Sequence, residues 1–135
     1  MRQSRFVYFG LLEIAVAVVF VALFGPAGLF ASPLVALLVV SGVLAVLGGT
    51  VASIDLGGVA VTWRHLLGAS YAVAAATLPV LYAPDVLAGT ATDLDYLMFA
   101  CGLITAVCLG FFAVEVARDG RHYEITGDVD RVLAL

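Results

Sequence analysis

Four apolar runs, each about twenty residues long and separated by breakers rich in glycine, proline and aspartate, set the terms for folding this 135-residue chain. A helix needs about 20 residues to cross roughly 30 Å of hydrocarbon, and these runs meet that length. They cover about 6–24, 33–53, 65–83 and 96–117. The breakers are Gly25-Pro26-Ala27-Gly28, Asp55-Leu56-Gly57-Gly58 and Ala83-Pro84-Asp85. The expected fold is therefore all-α, an integral membrane four-helix bundle over residues 1–117, followed by a short polar tail over 118–135. Composition agrees: 64% of residues are hydrophobic and 12% charged, against about 45–50% and about 25% in soluble domains. The start Met-Arg-Gln-Ser-Arg before an apolar stretch suggests a secretory leader. The stretch is long and carries Glu13, so it reads as a retained span.

Arginine placement orients the spans. Arg2, Arg5, Arg64, Arg118, Arg121 and Arg131 all fall on one side of a four-span topology, and the loops 25–32 and 84–95 hold none. The positive-inside rule places both termini in the cytoplasm or interior. Trp63 and Tyr82, near opposite ends of the third run, suit interface anchors. Pro79 removes a backbone donor within that run and is expected to kink it.

Lipid supplies no hydrophobic drive for helices to associate, so small residues that allow close approach carry the packing. Three rows stand out: Ser41, Ala45, Gly49 and Ser53; Gly68, Ala72 and Ala76; and Gly102, Ala106 and Gly110. The first run is poorer in small residues, with Ala15 and Ala22 expected on its packed side. Cys101 and Cys108 are too far apart on one helix for a disulfide and read as packing residues. A surplus small-residue row leads to the expectation of a homo-oligomer or of contact with other membrane subunits. The link Ile54–Arg64 alternates Val59, Val61 and Trp63 and suits a short extended stretch. Asp128–Leu135 has the pattern of a two-turn amphipathic helix, and the 118–135 tail is a possible site for a soluble partner.

Glu13 is the one charge-capable side chain in the first run. An ionised carboxylate at bilayer depth costs about 2.5–3.5 kcal/mol on insertion scales, so it calls for a proton, a partner or water. Counted from Phe6 it lies about 10 Å inside the apolar layer. Matching depths fall near Ser70 and Tyr71 on the third run, Leu47–Thr50 on the second and Phe111 on the fourth. The candidate intramembrane proton or hydrogen-bond site is therefore Glu13 with Tyr71, Ser70 and Thr50. With no cation there, the neutral acid is expected to act as interhelical glue. Glu115 is expected to be solvated or paired with Arg118.

Nothing in the chain has the spacing of a nucleotide loop, a zinc site or a catalytic triad. His65 and His122 lie at or outside the interface, too shallow for haem between helices. An enzyme is not expected, nor a metal, a cofactor or a specific nucleic acid; the lipid bilayer is the expected environment.

Two resemblances add to this reading. A four-span chain with a lone first-span Glu, here with Tyr8, Leu11-Leu12-Glu13 and Tyr71, is similar to the small multidrug resistance transporters. That likeness implies a proton-coupled carrier working as an oligomer with Glu13 as its exchange site. The chain lacks a basic end to span one and a tryptophan-bearing third span. Arg-only basicity, acidic loops and size resemble small four-span membrane proteins of haloarchaea, including the internal membrane protein of their pleomorphic viruses. That likeness implies a halophilic, archaeal or viral membrane protein with a structural role.

Overall fold

The computed structural model describes residues 2–25, 33–118 and 124–134. A short 3-10 turn at Gln3–Arg5 leads into α1 (Phe6–Phe24), followed by α2 (Pro33–Thr50). Strands β1 (Ser53–Leu56) and β2 (Val59–Thr62) come next, then α3 (Trp63–Ala88), α4 (Asp93–Ala117) and β3 (Val132–Ala134). All four helices are long and apolar enough to cross a membrane. The all-α expectation is corrected by the three-stranded sheet, ordered β2-β1-β3.

Helix ends differ from the sequence boundaries for local reasons. α2 stops at Thr50, and Ser53 enters β1, so Ser53 leaves the expected helical row. Pro84 does not end α3. The helix runs on to Ala88 and closes at Gly89, which takes the left-handed conformation (φ 70°) open to glycine. α4 begins three residues early because Thr92 and Asp95 form a reciprocal capping box. Gly57 and Gly58, both at positive φ (62° and 103°), make the two-residue turn between β1 and β2. Asp55 Oδ1 accepts from Gly58 N–H at 3.0 Å and closes that turn. The loop 26–32 lies outside the described residues.

The helices pack in chain order, as a row, and Phe6, Ala45, Leu67 and Val116, one from each helix, share a core cluster at its sheet end. α1 packs on α2, α2 on α3 and α3 on α4, with no extended α1–α4 contact. Backbone proximity fixes each step. A Cβ on Gly10 would stand 2.4 Å from the Gly42 carbonyl, and one on Gly49 2.8 Å from Val7 N. The α3–α4 step has the same device, with Gly68 against Ala113 O and Gly102 against Leu78. Of the expected small-residue rows, Ser41, Ala45, Gly49, Gly68 and Gly102 are buried. Ala76 and Ala106 are half-buried, Ala72 is exposed, and a Cβ on Gly110 would meet nothing. Ala72 and Gly110 have the size of packing residues but lie on helix faces that no described helix covers. Cys101 and Cys108 are exposed, not packed.

α1 also turns a different face inward. Phe6, Gly10, Glu13 and Ala17 are buried, whereas Ala15 and Ala22 are exposed. Steps of three and four residues put the buried four on one stripe, and Gly10 lets that stripe reach α2.

Both chain ends meet at one end of the row. The expected tail helix is replaced by β3, which pairs in parallel with β1. Ile125 inserts into a cluster with Phe6, Ala45, Leu67 and Val116, and Trp63 packs against it. Buried Gln3 donates from Nε2 to the carbonyls of Gly48 and Val51, both at 2.8 Å. Its backbone N–H donates to Thr126 O at 3.0 Å. Asp128 accepts from Ser4 N–H at 2.9 Å and from Ser4 Oγ at 2.6 Å. The tail strands because β1 offers an open edge, whereas two isolated helical turns are marginal.

Replacing Gly10 with Ala drives a methyl into the Gly42 carbonyl and is expected to cost about 1–3 kcal/mol. Gly110→Ala is expected to be tolerated. Thermal unfolding of the two purified variants checks the difference. The Ser4 hydrogen bonds hold the Asp128 carboxyl below its ordinary range. Its contribution is therefore present above the ordinary aspartate value and fades as pH falls through the lowered one. Amide protection over 124–134, relative to the intrinsic exchange rate at each pH, is expected to fall in that acid window, and Asp128→Asn is expected to lower it already at neutral pH.

Candidate functional site

Glu13 on α1, Ser41 on α2 and Ser70 on α3 meet inside the row, all three buried. The Ser41 hydroxyl lies 3.2 Å from Glu13 Oε1, to which it can donate. It also lies 3.1 Å from the Ser70 carbonyl oxygen and 3.1 Å from Ser70 Oγ. Ser41 thus joins three helices through one oxygen. Glu13 Oε2 is buried with no hydrogen-bond partner among the described residues. No other residue of α1 or α2 carries a charged side chain.

The approach that makes this contact possible is glycine-based. A Cβ on Gly42 would stand 2.7 Å from Gly10 O and 3.3 Å from Glu13 Cβ. The backbones are close enough for a short serine to reach a glutamate. On the α3 side, a Cβ on Gly48 would meet Leu67 at 2.8 Å, which sets α3 against α2 and brings Ser70 up to Ser41.

Of the expected partners of Glu13, Ser70 belongs to the cluster, through Ser41. Tyr71 follows Ser70 on α3, but no hydrogen bond joins it to Glu13. Its ring instead packs with Phe6, Phe9 and Phe112, at centroid distances of 6.2, 6.3 and 6.2 Å. Thr50 is not a partner. Its hydroxyl donates back to Val46 O at 2.9 Å and to Leu47 O at 3.2 Å in its own helix, as threonines in helices often do.

The expected depth match on α2 was about two turns off, for a simple reason. Glu13 lies ten residues in from the start of the 3-10 turn at Gln3, and Ser41 nine residues in from the end of α2 at Thr50. Measuring seven residues in from Phe6 and from Ser53 shifts the register to Val46, beside the expected Leu47–Thr50 and short of Ser41. Ser41 was visible as a small packing residue; only the true helix ends reveal it as the partner of Glu13. Gln3 was missed altogether. A glutamine between Arg2 and Ser4 carries no pattern that marks it as buried.

His65 sits at the sheet end of α3, where its Nδ1 lies 2.8 Å from Thr62 Oγ1. His122 lies outside the described residues. A separate groove between α1 and α2, lined by Ala17, Val18, Val21, Ala22, Val35 and Val39, is wholly apolar.

Ser41→Ala removes the hydrogen-bond partner of Glu13 and is expected to cost about 1–3 kcal/mol, the penalty of a buried unsatisfied group. Thr50→Ala, which loses only bonds within its own helix, is expected to stay within about 0.5 kcal/mol of the parent. Thermal unfolding of both variants in one detergent measures the contrast.

Comparison with known proteins places the chain by family alone. The sequence profile described as a family of unknown function (DUF7994) matches residues 1–129, so the chain belongs to that family. No curated protein and no solved structure matches it.

Proposed function

Taking the chain as a member of this family, we propose that it is a four-span integral membrane protein acting as a non-enzymatic structural or accessory subunit of a larger membrane assembly. Both termini lie on the interior side, consistent with the arginines Arg2, Arg5, Arg64, Arg118 and Arg131 flanking helix ends or strands at the sheet end of the row. In a bilayer the outward apolar side chains of α1 and α4, such as Leu23, Phe24, Ile104 and Val107, are solvated by lipid tails.

The observation that carries the reading is the plate at that end. It combines a loop between two spans with the C-terminal segment and pins both to the N-terminus. A two-residue tail contact would fray. Here Ser4–Asp128, Gln3 and the parallel β1–β3 pairing hold residues 124–134 in place. The plate carries two outer strand edges, on β2 and β3, that no other described strand pairs. An unpaired edge presents a row of backbone donors and acceptors to another chain. Val59 and Val132, two-thirds exposed at 66% and 61%, add apolar contact there. Placed just outside a bilayer, such a plate suits a fixed contact with a neighbouring subunit or with a soluble partner.

The test is a gentle pull-down from the native membrane, with the parent compared to Val132→Lys. The parent is expected to bring down a defined stoichiometric partner or further copies of itself. Val132→Lys is expected to lose them while keeping its unfolding temperature. A strictly monomeric parent that recovers no partner would sink the proposal.

A second reading rests on the unpartnered Oε2 of Glu13: a small proton-coupled carrier, working as an oligomer, with Glu13 as the exchange site. Glu13→Gln mimics the neutral acid. Proton-coupled uptake into liposomes should vanish in that variant, with folding intact, if the carrier reading holds, and no parent uptake would end it.

A further inference from the structure

Three oxygen contacts converge on Ser41 Oγ, from Glu13 Oε1, the Ser70 carbonyl and Ser70 Oγ, at 3.2, 3.1 and 3.1 Å. Each needs a hydrogen between the oxygens. Ser41 supplies one and Ser70 a second, whereas a carbonyl and a carboxylate supply none. Two hydrogens serve two contacts and leave one pair of lone pairs facing each other. A second deficit lies beside it, because Glu13 Oε2 is buried without a partner and the residue as a whole is 9% exposed.

A proton on the carboxyl cures only one of these. Bound to Oε1, it fills the contact with Ser41 and leaves Oε2 bare. Bound to Oε2, it leaves the crowding at Ser41 and adds a buried donor with no acceptor. A cation held by both carboxylate oxygens and by the serine oxygens cures both together.

We propose that Glu13, Ser41 and Ser70 form a binding site for one sodium-sized monovalent cation. The ligands are both carboxylate oxygens of Glu13, the hydroxyls of Ser41 and Ser70, and the Ser70 carbonyl. The chemistry of the set is that of a hard cation, with oxygen donors throughout and no sulfur or imidazole. Charge selects a monovalent ion. Glu13 is the one charged group among the three residues, so a single positive charge neutralises it. A divalent ion would leave a net charge inside an apolar layer, at a cost of several kcal/mol.

Size favours sodium over potassium. The Ser41 Oγ stands only 3.2 and 3.1 Å from the Glu13 and Ser70 oxygens, a spacing that suits a small ion. A larger ion would have to spread them, and the α1–α2 step has little slack. Gly10 and Gly42 are already in backbone contact there. The site goes beyond the structural reading and does not require it: a resident ion tying three helices together suits a scaffold and a carrier alike.

The experiment is carbodiimide labelling of Glu13 in the full-length protein in detergent, at fixed pH, quantified by mass spectrometry. A hydrophobic carbodiimide modifies the protonated carboxyl, so an ion that replaces the proton protects it. Sodium chloride is expected to suppress labelling saturably, while potassium or choline chloride at equal ionic strength leaves it in place. Glu13→Gln identifies the labelled residue by losing it. Ser41→Ala is expected to raise the sodium needed for half-protection at least about tenfold, the loss that follows removal of a group supporting a metal. Should Ser41→Ala fail to fold, Ser70→Ala makes the same comparison, and a sodium-specific rise in the parent's unfolding temperature gives an independent readout. Labelling equal in sodium and choline would mean that Glu13 holds only a proton, and would overturn the proposal. Equal protection by potassium, or protection unchanged in both serine variants, would overturn it too.

Discussion

The contact between the backbones of α1 and α2 at Gly10 and Gly42 governs much of what the rest of the chain does. Neither residue has room for a Cβ, since one on Gly10 would stand 2.4 Å from the Gly42 carbonyl and one on Gly42 2.7 Å from the Gly10 carbonyl. At that separation a serine spans the gap to a glutamate, which a more distant pair of helices would not allow. The same register carries Gly49 onto Val7 and lays Gln3 across the carbonyls that α2 leaves unpaired at its end. Two glycines therefore set both the buried polar cluster and the sealed end of the molecule.

Buried polar atoms gather at two levels of the chain. At the sheet end Ser4 pairs with Asp128 twice and Gln3 donates to two carbonyls, while Gln3 Oε1 is buried without a partner among the described residues. Inside the row they are few and converge on one hydroxyl, with Glu13 Oε2 left over. Burying a polar atom without a partner costs free energy, and at Glu13 that cost falls on a carboxyl among apolar helices. The backbone of α1 packs mainly on α2 and that of α4 mainly on α3, and an outer face such as that of Gly110 and Cys108 stays uncovered by the described helices.

The helices were legible in the sequence because apolar length is a strong pattern and needs no partner to be recognised. α1 was read to its exact bounds, and the extended stretch at Val59 and Val61 became β2. What could not be read was whatever depends on a neighbour far along the chain. The tail from Asp128 reads as a helix by local pattern and becomes a strand because β1 lies beside it. Ala72 and Gly110 have the size of packing residues but face outward, since size does not tell which side of a helix meets another. Glu13 was identifiable from charge alone, and Ser70 from depth. Ser41 was recognised only as small, because its role follows from a register shifted by the 3-10 turn at Gln3 and by the early end of α2 at Thr50.

The claim on which the account turns is that this register seats Glu13 on Ser41. A double-mutant cycle over Glu13→Ala and Ser41→Ala, read from unfolding free energies in one detergent, measures it most directly. The account predicts a coupling of about 0.5–2 kcal/mol, the scale of interhelical hydrogen bonds in membrane proteins. Costs that simply add, within about 0.3 kcal/mol, would contradict it.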